Sequence, residues 1–253
     1  MTAYGADMSK YLDSGNEARI KKAYESRDPR LQMAVITPYA QYNGASSGIA
    51  HTYTLRWPYR GSDSAEPFDI RTDTNDKFYY LWRKFVPEGL EQTERDTYGL
   101  DIPLIRYAEV LLLKAEALNE WGSTHESEAI RCVNEVRRRA GHVELNNATY
   151  PATKVNGQSD LRERIRNEYY WEIGGEDSMY FHELRWGTWK DKKFDNNRNG
   201  LMQMWGETTY TWYWLGDQCW SWPIPAKEME MNSNLEQNEG CLLYTSDAAD
   251  DRI

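Results

Sequence analysis

The sequence predicts a mainly α-helical protein that carries an irregular insert of short strands and loops. Three observations support this. Two apolar stripes at helical spacing run through residues 104–116 and 129–140 and are separated by a short link. A third helical pattern, rich in charge, covers Leu161 to Ile173. Between 32 and 100 the helical period gives way to short aromatic and β-branched runs, broken by Gly44, Gly48, Pro58, Gly61, Pro67 and Pro87.

In the first helix Ile105, Ala108, Leu111, Leu112 and Ala115 form one face, with Pro103 in the first turn and Gly122 just past the end. In the second, Ala129, Ile130, Val133, Val136 and Ala140 recur before Gly141. Ser123 or Thr124 is placed to cap it, and Glu126 and Glu128 suit the positive end of its dipole. So short a link folds the pair back as an antiparallel hairpin. Leu113, Ala117, Ala129, Val133 and Val136 fall where a tetratricopeptide unit packs, and no second copy occurs at that period. A lone hairpin cannot bury its stripe by itself and needs neighbours.

The remaining elements follow from breakers. A helix over 16–27 ends near Asp28-Pro29, and strands are expected at Met33–Thr37, Thr52–Trp57 and Phe78–Val86. Residues 142–158 read as a polar loop, after which Ser159 or Asp160 caps the third helix and Gly174-Gly175 stops it. A short helix resumes at Met179–Trp186, and another spans Ala226–Met231 after Pro223-Ile224-Pro225. Met202–Trp222 is the densest aromatic region.

Composition narrows the function. A net charge of −10 gives no nucleic-acid footprint, and the basic run Arg137-Arg138-Arg139 reads as a solvated helix end. No stretch approaches the roughly 20 apolar residues of a membrane span, and no secretory signal is read in the chain. Cys132, Cys219 and Cys241 lack metal-type spacing, and His51, His125, His142 and His182 are scattered, so neither metal nor cofactor is expected. A nucleophile elbow, a His-Glu-x-x-His zinc helix and a phosphate loop are not expected either, and Gly174-Gly-Glu-Asp is too short to mark a cyclase. Glu168 and Glu172 share a helix face but alternate with arginines, which points to an ion-pair lattice rather than a glycosidase pair. With 11 Trp and 18 Tyr against 5 Phe, polar-tipped rings dominate. Such rings suit surfaces that are half apolar and half wet, as sugars are.

Four stretches, taken in order, resemble the C-terminal half of the SusD/RagB family of outer-membrane nutrient-binding lipoproteins. They are Tyr24 with Arg27-Asp-Pro-Arg-Leu31; Pro103-Leu-Ile-Arg-Tyr-Ala-Glu-Val-Leu-Leu112; Val133-Asn-Glu-Val-Arg-Arg-Arg-Ala-Gly141; and Trp222-Pro-Ile-Pro-Ala226 followed by Asn234–Gly240. The resemblance covers about residues 10–240. It departs from the family pattern at Met179 and His182, where the family carries an arginine and an aspartate, while Glu172 and Arg185-Trp186 fit.

This resemblance implies a SusD-like α/α fold. Residues 1–240 would form the C-terminal portion of such a domain: a loop and strand segment at 32–100, the helical hairpin at 101–141, and a helix with an aromatic-rich end at 158–240. The family's signal, lipid-carrying cysteine and further helical repeats are not read here. Cys241–Ile253 fails to continue the pattern, resembles a translated sequencing adapter, and is expected to be a non-native tail.

The resemblance also implies a non-catalytic protein of the cell outer membrane, held there by a lipid anchor outside this fragment. It would capture a glycan or oligopeptide and deliver it to a SusC-like TonB-dependent transporter. Tyr39, Tyr42, Trp57, Tyr59 and Trp82, all in the loop-rich insert, are the candidate ligand residues. The alternatives are a helical-repeat scaffold for protein partners and, third, a glycoside hydrolase.

Overall fold

In the computed structural model the helical hairpin is the framework. The structure describes residues 22, 24–25, 27–37, 39–46, 48–56, 69–71, 81–89, 101, 103–176, 178–193, 220–221 and 223–238. The chain divides into two compact units, and the first runs to Met179 apart from a short later segment.

In the first unit, helix α1 (Pro29–Ala34) leads into strand β1 (Val35–Ile36). Asp28 caps α1, accepting the Arg30 N–H at 2.9 Å, and Pro29 occupies the first turn. The Asp-Pro pair therefore starts a helix here as well as following one. Strands β2 (Gln41–Ser46) and β3 (Ile49–Arg56) form an antiparallel hairpin, and β4 (Asp69–Arg71) joins β3 in parallel. Ser46 pairs with Ile49, and Gly48 just before Ile49 holds φ 76°, a left-handed conformation that glycine adopts without strain. Strand β5 (Leu81–Trp82) pairs antiparallel with β1. The insert thus contains the expected strands in altered form. β2 and β4 were not foreseen, β1 loses Met33 and Ala34 to α1, and among the described residues of Phe78–Val86 only Leu81–Trp82 are strand. Ile36, Tyr42 and Leu55 form its small core, with Ala40, Tyr53 and Leu81 against them.

Helices α2 (Tyr107–Trp121) and α3 (Glu126–Arg139) are joined through a 3-10 turn at Ser123–His125, and α4 (Gln158–Ile173) packs against both. Leu111, Leu112, Ala115 and Leu118 of α2 are buried, as are Ala129, Ile130, Val133 and Val136 of α3, and Leu161, Ile165, Tyr169 and Ile173 of α4. Two expectations at the start of α2 fail. Pro103 lies outside the helix, and Ile105 is 71% exposed. The reason is Arg106, whose backbone stays extended (φ −110°, ψ 151°) while its side chain reaches Glu172 and Glu176. Leu113, a predicted packing position, is also exposed. No side-chain cap bond forms at the start of α3. Gly157 precedes α4, and Asp160 reaches back to accept the Asn156 N–H at 2.8 Å.

Paired polar contacts set the three helices in register. Asn119 and Gln158 exchange side-chain-to-carbonyl hydrogen bonds at 3.1 and 2.7 Å, joining the end of α2 to the start of α4. Asn134 donates to the Leu145 carbonyl and accepts the Leu145 N–H at 2.7 Å, pinning the loop after α3. Arg162 grips Glu120 with two bonds of 2.6 Å. Helix α5 (Ser178–Arg185) follows the Gly174-Gly175 break.

The second unit begins at Tyr180 and includes helices α6 (Trp189–Lys193) and α7 (Ala226–Met231). In it Tyr180 meets Trp189 edge to face and His182 stacks on Trp186. The Gln237 side chain closes on both backbone groups of Ile224, accepting its N–H at 2.7 Å and donating to its carbonyl at 3.0 Å. Among the described residues no helix is long and apolar enough to cross a membrane.

Candidate functional site

Helix α4 carries two carboxylates one turn apart, Glu168 and Glu172, and both are buried. A buried carboxylate is tolerated only when cations and donors surround it. Here they come from every neighbouring element. Arg30 of α1 donates to Glu168 at 2.7 Å and to Glu172 at 3.1 Å, while its other nitrogens bind Asp28. Arg137 of α3 donates to Glu168 at 2.9 Å, and Arg139 donates to Glu172 at 2.5 Å. Arg106, just ahead of α2, donates to Glu172 at 2.9 Å and to Glu176 at 2.7 Å. Lys84, in the turn after β5, bonds the carbonyls of Glu172 and Gly174 and pairs with Glu176 at 2.5 Å.

The lattice reading of Glu168 and Glu172 therefore stands, but the partners are not the arginines of their own helix. The Arg137-Arg138-Arg139 run is only in part a solvated end. Arg137 is 5% exposed and bound to Glu168, Arg138 is a surface cation paired with Glu144, and Arg139 is exposed but reaches Glu172. Sequence reasoning missed Arg106, Lys84 and Glu176. The available signal was an arginine inside the otherwise apolar run Leu104–Leu113, at a position where the helix pattern has no use for one.

Burial drives the Glu168 carboxyl upward, against the opposing charges of Arg30 and Arg137. At Glu172 burial acts the same way, but the Arg106 hydrogen bond, the Arg139 charge and the Arg30 hydrogen bond outweigh it and hold the carboxyl low. His142 lies 3.2 Å from Asp28 and packs its ring against Trp171. Burial, and then the charge of Arg137, push it down to about 4 despite the attraction of Asp28.

Between α1, the β5 turn, α3 and α4 lies an open cavity of about 380 Å³. Its wall is part apolar, with Met33, Phe85 and Trp171, and part cationic, with Lys84, Arg106 and Arg139. Phe85 holds φ 62°, an uncommon conformation for a bulky residue.

The candidate rings fare differently from one another. Tyr42 is 4% exposed and donates its hydroxyl to the Pro87 carbonyl at 2.7 Å, so it is a core residue. Its even place in β2, facing Ile36 and Leu55, dictates this. Tyr39 is half-buried, with φ 63° and its N–H on the Leu55 carbonyl. Trp82 is 58% exposed, with the edge of its ring over Gly175. Trp57 and Tyr59 lie outside the described residues, as does the aromatic stretch up to residue 219. One motif was overlooked. Gly44-Ala-Ser-Ser-Gly48 spells Gly-x-Ser-x-Gly, but it crosses the β2–β3 turn from strand to strand, whereas a nucleophile elbow runs from strand to helix.

A helical hairpin braced on a third helix by buried arginine–glutamate pairs makes this a mainly helical fold. Residues 5–240 match the sequence profile of the SusD family, and the chain belongs to that family. It is 32% identical over 139 residues to a SusD-like protein of Formosa agariphila, covering 54% of this chain and 24% of that one. To the starch-binding protein SusD of Bacteroides thetaiotaomicron it is 28% identical over 160 residues, or 63% of this chain and 25% of that one. The matched part thus spans about a quarter of the length of these curated relatives. In fold it is similar to the crystal structure of a SusD-like protein from Bacteroides fragilis, with a TM-score of 0.57 at 22% identity over 87% of this chain and 40% of that one.

Proposed function

We propose that this protein captures glycans, or other oligomeric nutrients, at the outer surface of the cell and passes them unaltered to a SusC-like TonB-dependent transporter. Membership of the SusD family carries this reading, and the starch-binding relative supports glycans as the ligand class. The chemistry of the described residues is consistent with it. Glu168 and Glu172, the obvious pair for acid–base work, are each clasped by two or more guanidinium groups and are committed to the ion lattice. Trp82 supplies an exposed ring suited to stacking on a sugar face, and Trp57 and Tyr59, outside the described residues, remain candidates as well.

Affinity electrophoresis of the chain through gels loaded with different polysaccharides tests this. Retarded migration with no release of reducing ends is expected. Release of reducing ends would replace capture with hydrolysis, and unretarded migration through every gel would remove the glycan reading.

One observation favours a second reading, a scaffold for protein partners. Tyr107, Val110, Leu113 and Trp121 line the outer side of α2 and are all exposed, Trp121 by 76%. Such a stripe is the usual anchor set of a helix-mediated interface.

A further inference from the structure

The cavity between α1, the turn after β5, α3 and α4 has no role in the capture reading as stated, and its wall has a definite chemical preference. We propose that it is a binding site for a sugar acid, a pyranose ring bearing a carboxylate. Three features support the assignment. The volume, about 380 Å³, falls in the range of roughly 300–1,000 Å³ found for small-molecule sites. The apolar part of the wall is made of Trp171, Phe85 and the 71% exposed side chain of Met33, which suit the C–H face of a sugar ring. The polar part is cationic beyond what its own carboxylates use.

Arg139 provides that excess. Among the described residues its guanidinium makes a single hydrogen bond, through one terminal nitrogen to Glu172, while 59% of the side chain is exposed. A guanidinium presents five donors in a planar fork, so most of those on Arg139, which lines the cavity, are left uncommitted. Arg30 and Arg106 differ, each being spread over several acceptors on Asp28, Glu168, Glu172 and Glu176. They keep Glu172 neutralised, so an incoming carboxylate meets Arg139 without facing an unscreened negative charge. The fork geometry favours a bidentate carboxylate over a neutral hydroxyl. The strained backbone of Phe85 fits with a residue held in place to shape a site.

This inference deepens the capture reading and rests on it only for the source of the ligand. The test titrates the 253-residue chain calorimetrically with galacturonate oligosaccharides, with uncharged galactose oligosaccharides of equal length as the control. Saturable binding of the acidic series, weakened by added salt, is expected. Arg139→Ala should weaken it about tenfold, the usual worth of a charge-assisted hydrogen bond. Met33→Ala, at a side chain that makes no part of the core, should weaken it in the same direction with the fold intact by circular dichroism. Equal binding of the two series, or acid binding indifferent to both substitutions, would overturn the site. If neutral polysaccharides retard the chain in gels while galacturonate fails to bind, the cavity assignment alone falls. If galacturonate binds with both variants impaired but no neutral polysaccharide is retained, the cavity stands and the capture reading narrows to acidic glycans.

Discussion

Arg30 and Glu168 meet at 2.7 Å across 138 positions of chain, and both side chains are nearly or wholly withdrawn from solvent. The contact clamps the short helix at the start of the insert onto α4. Arg137 reaches the second oxygen of the same carboxylate from α3. Removing that carboxylate leaves the buried Arg137 guanidinium with no carboxylate partner among the described residues and takes one acceptor from Arg30.

Glu168→Ala is therefore expected to cost ~3–5 kcal/mol of folding stability, the range for breaking a buried ion pair from one side. Glu163→Ala, on the same helix but paired only at the surface with Arg166, should stay within about 0.5 kcal/mol. Urea denaturation of the two variants checks this. Near-equal midpoints would show that the buried pairs contribute no more than surface ones.

Tyr42 and Trp82 should separate stability from ligand capture. Tyr42→Phe deletes the hydroxyl that donates to Pro87 and should cost about 0.5–1.5 kcal/mol while leaving polysaccharide retention unchanged. Trp82→Ala should reduce retention with a smaller effect on the denaturation midpoint, because most of the ring is exposed. Retention that falls with Tyr42→Phe and survives Trp82→Ala would move ligand binding elsewhere in the molecule.

Local rules read well where one helix face met one core. Ala129, Ile130, Val133 and Val136 were assigned to the interior of α3 by spacing alone, and all four are buried. The break at Gly174-Gly175 and the limits of α7 were equally legible. What resisted were decisions made by distant partners. Periodicity alone extends α2 back to Pro103, but Arg106 is held extended by carboxylates 66 and 70 positions away, and no local pattern reports them. The hairpin of β2 and β3 escaped because Gln41–Ser46 alternates weakly and its turn lacks an Asn-Gly signal. Tyr42 looked like a loop ring for the same reason. Three of the four stretches that carried the family resemblance supply the ion lattice, since Arg30, Arg106 and Arg137 each sit inside one of them.

His142 should make stability fall in mild acid. Its imidazole is held at about 4 in the folded protein against an ordinary value of 6.5, so the unfolded chain binds the extra proton first as pH drops. The stability that depends on its neutral form is complete above pH 6.5 and is lost as pH falls toward 4. Asp28, held low chiefly by the Arg30 hydrogen bonds against its own burial, adds a loss of the same sign below its ordinary 3.8. Denaturation midpoints at pH 7, 5.5 and 4.5 should decline in the native chain and decline less in His142→Asn. Parallel declines in both would assign the acid sensitivity to other groups.

Gly175 is required twice over, which makes its replacement informative. Its φ of 82° lies in the left-handed region, where a side chain alone costs roughly 1–2 kcal/mol. A β-carbon there would also come within 2.6 Å of the Trp82 ring. Gly175→Ala should therefore lose more than the backbone term, and should do so by pushing Trp82 off the turn that follows α4. Pairing it with Trp82→Ala separates the two contributions. The double variant should recover the steric part and retain the backbone part, giving a favourable coupling of at least about 0.5 kcal/mol in a double-mutant cycle. Strict additivity would mean the ring does not rest on this glycine.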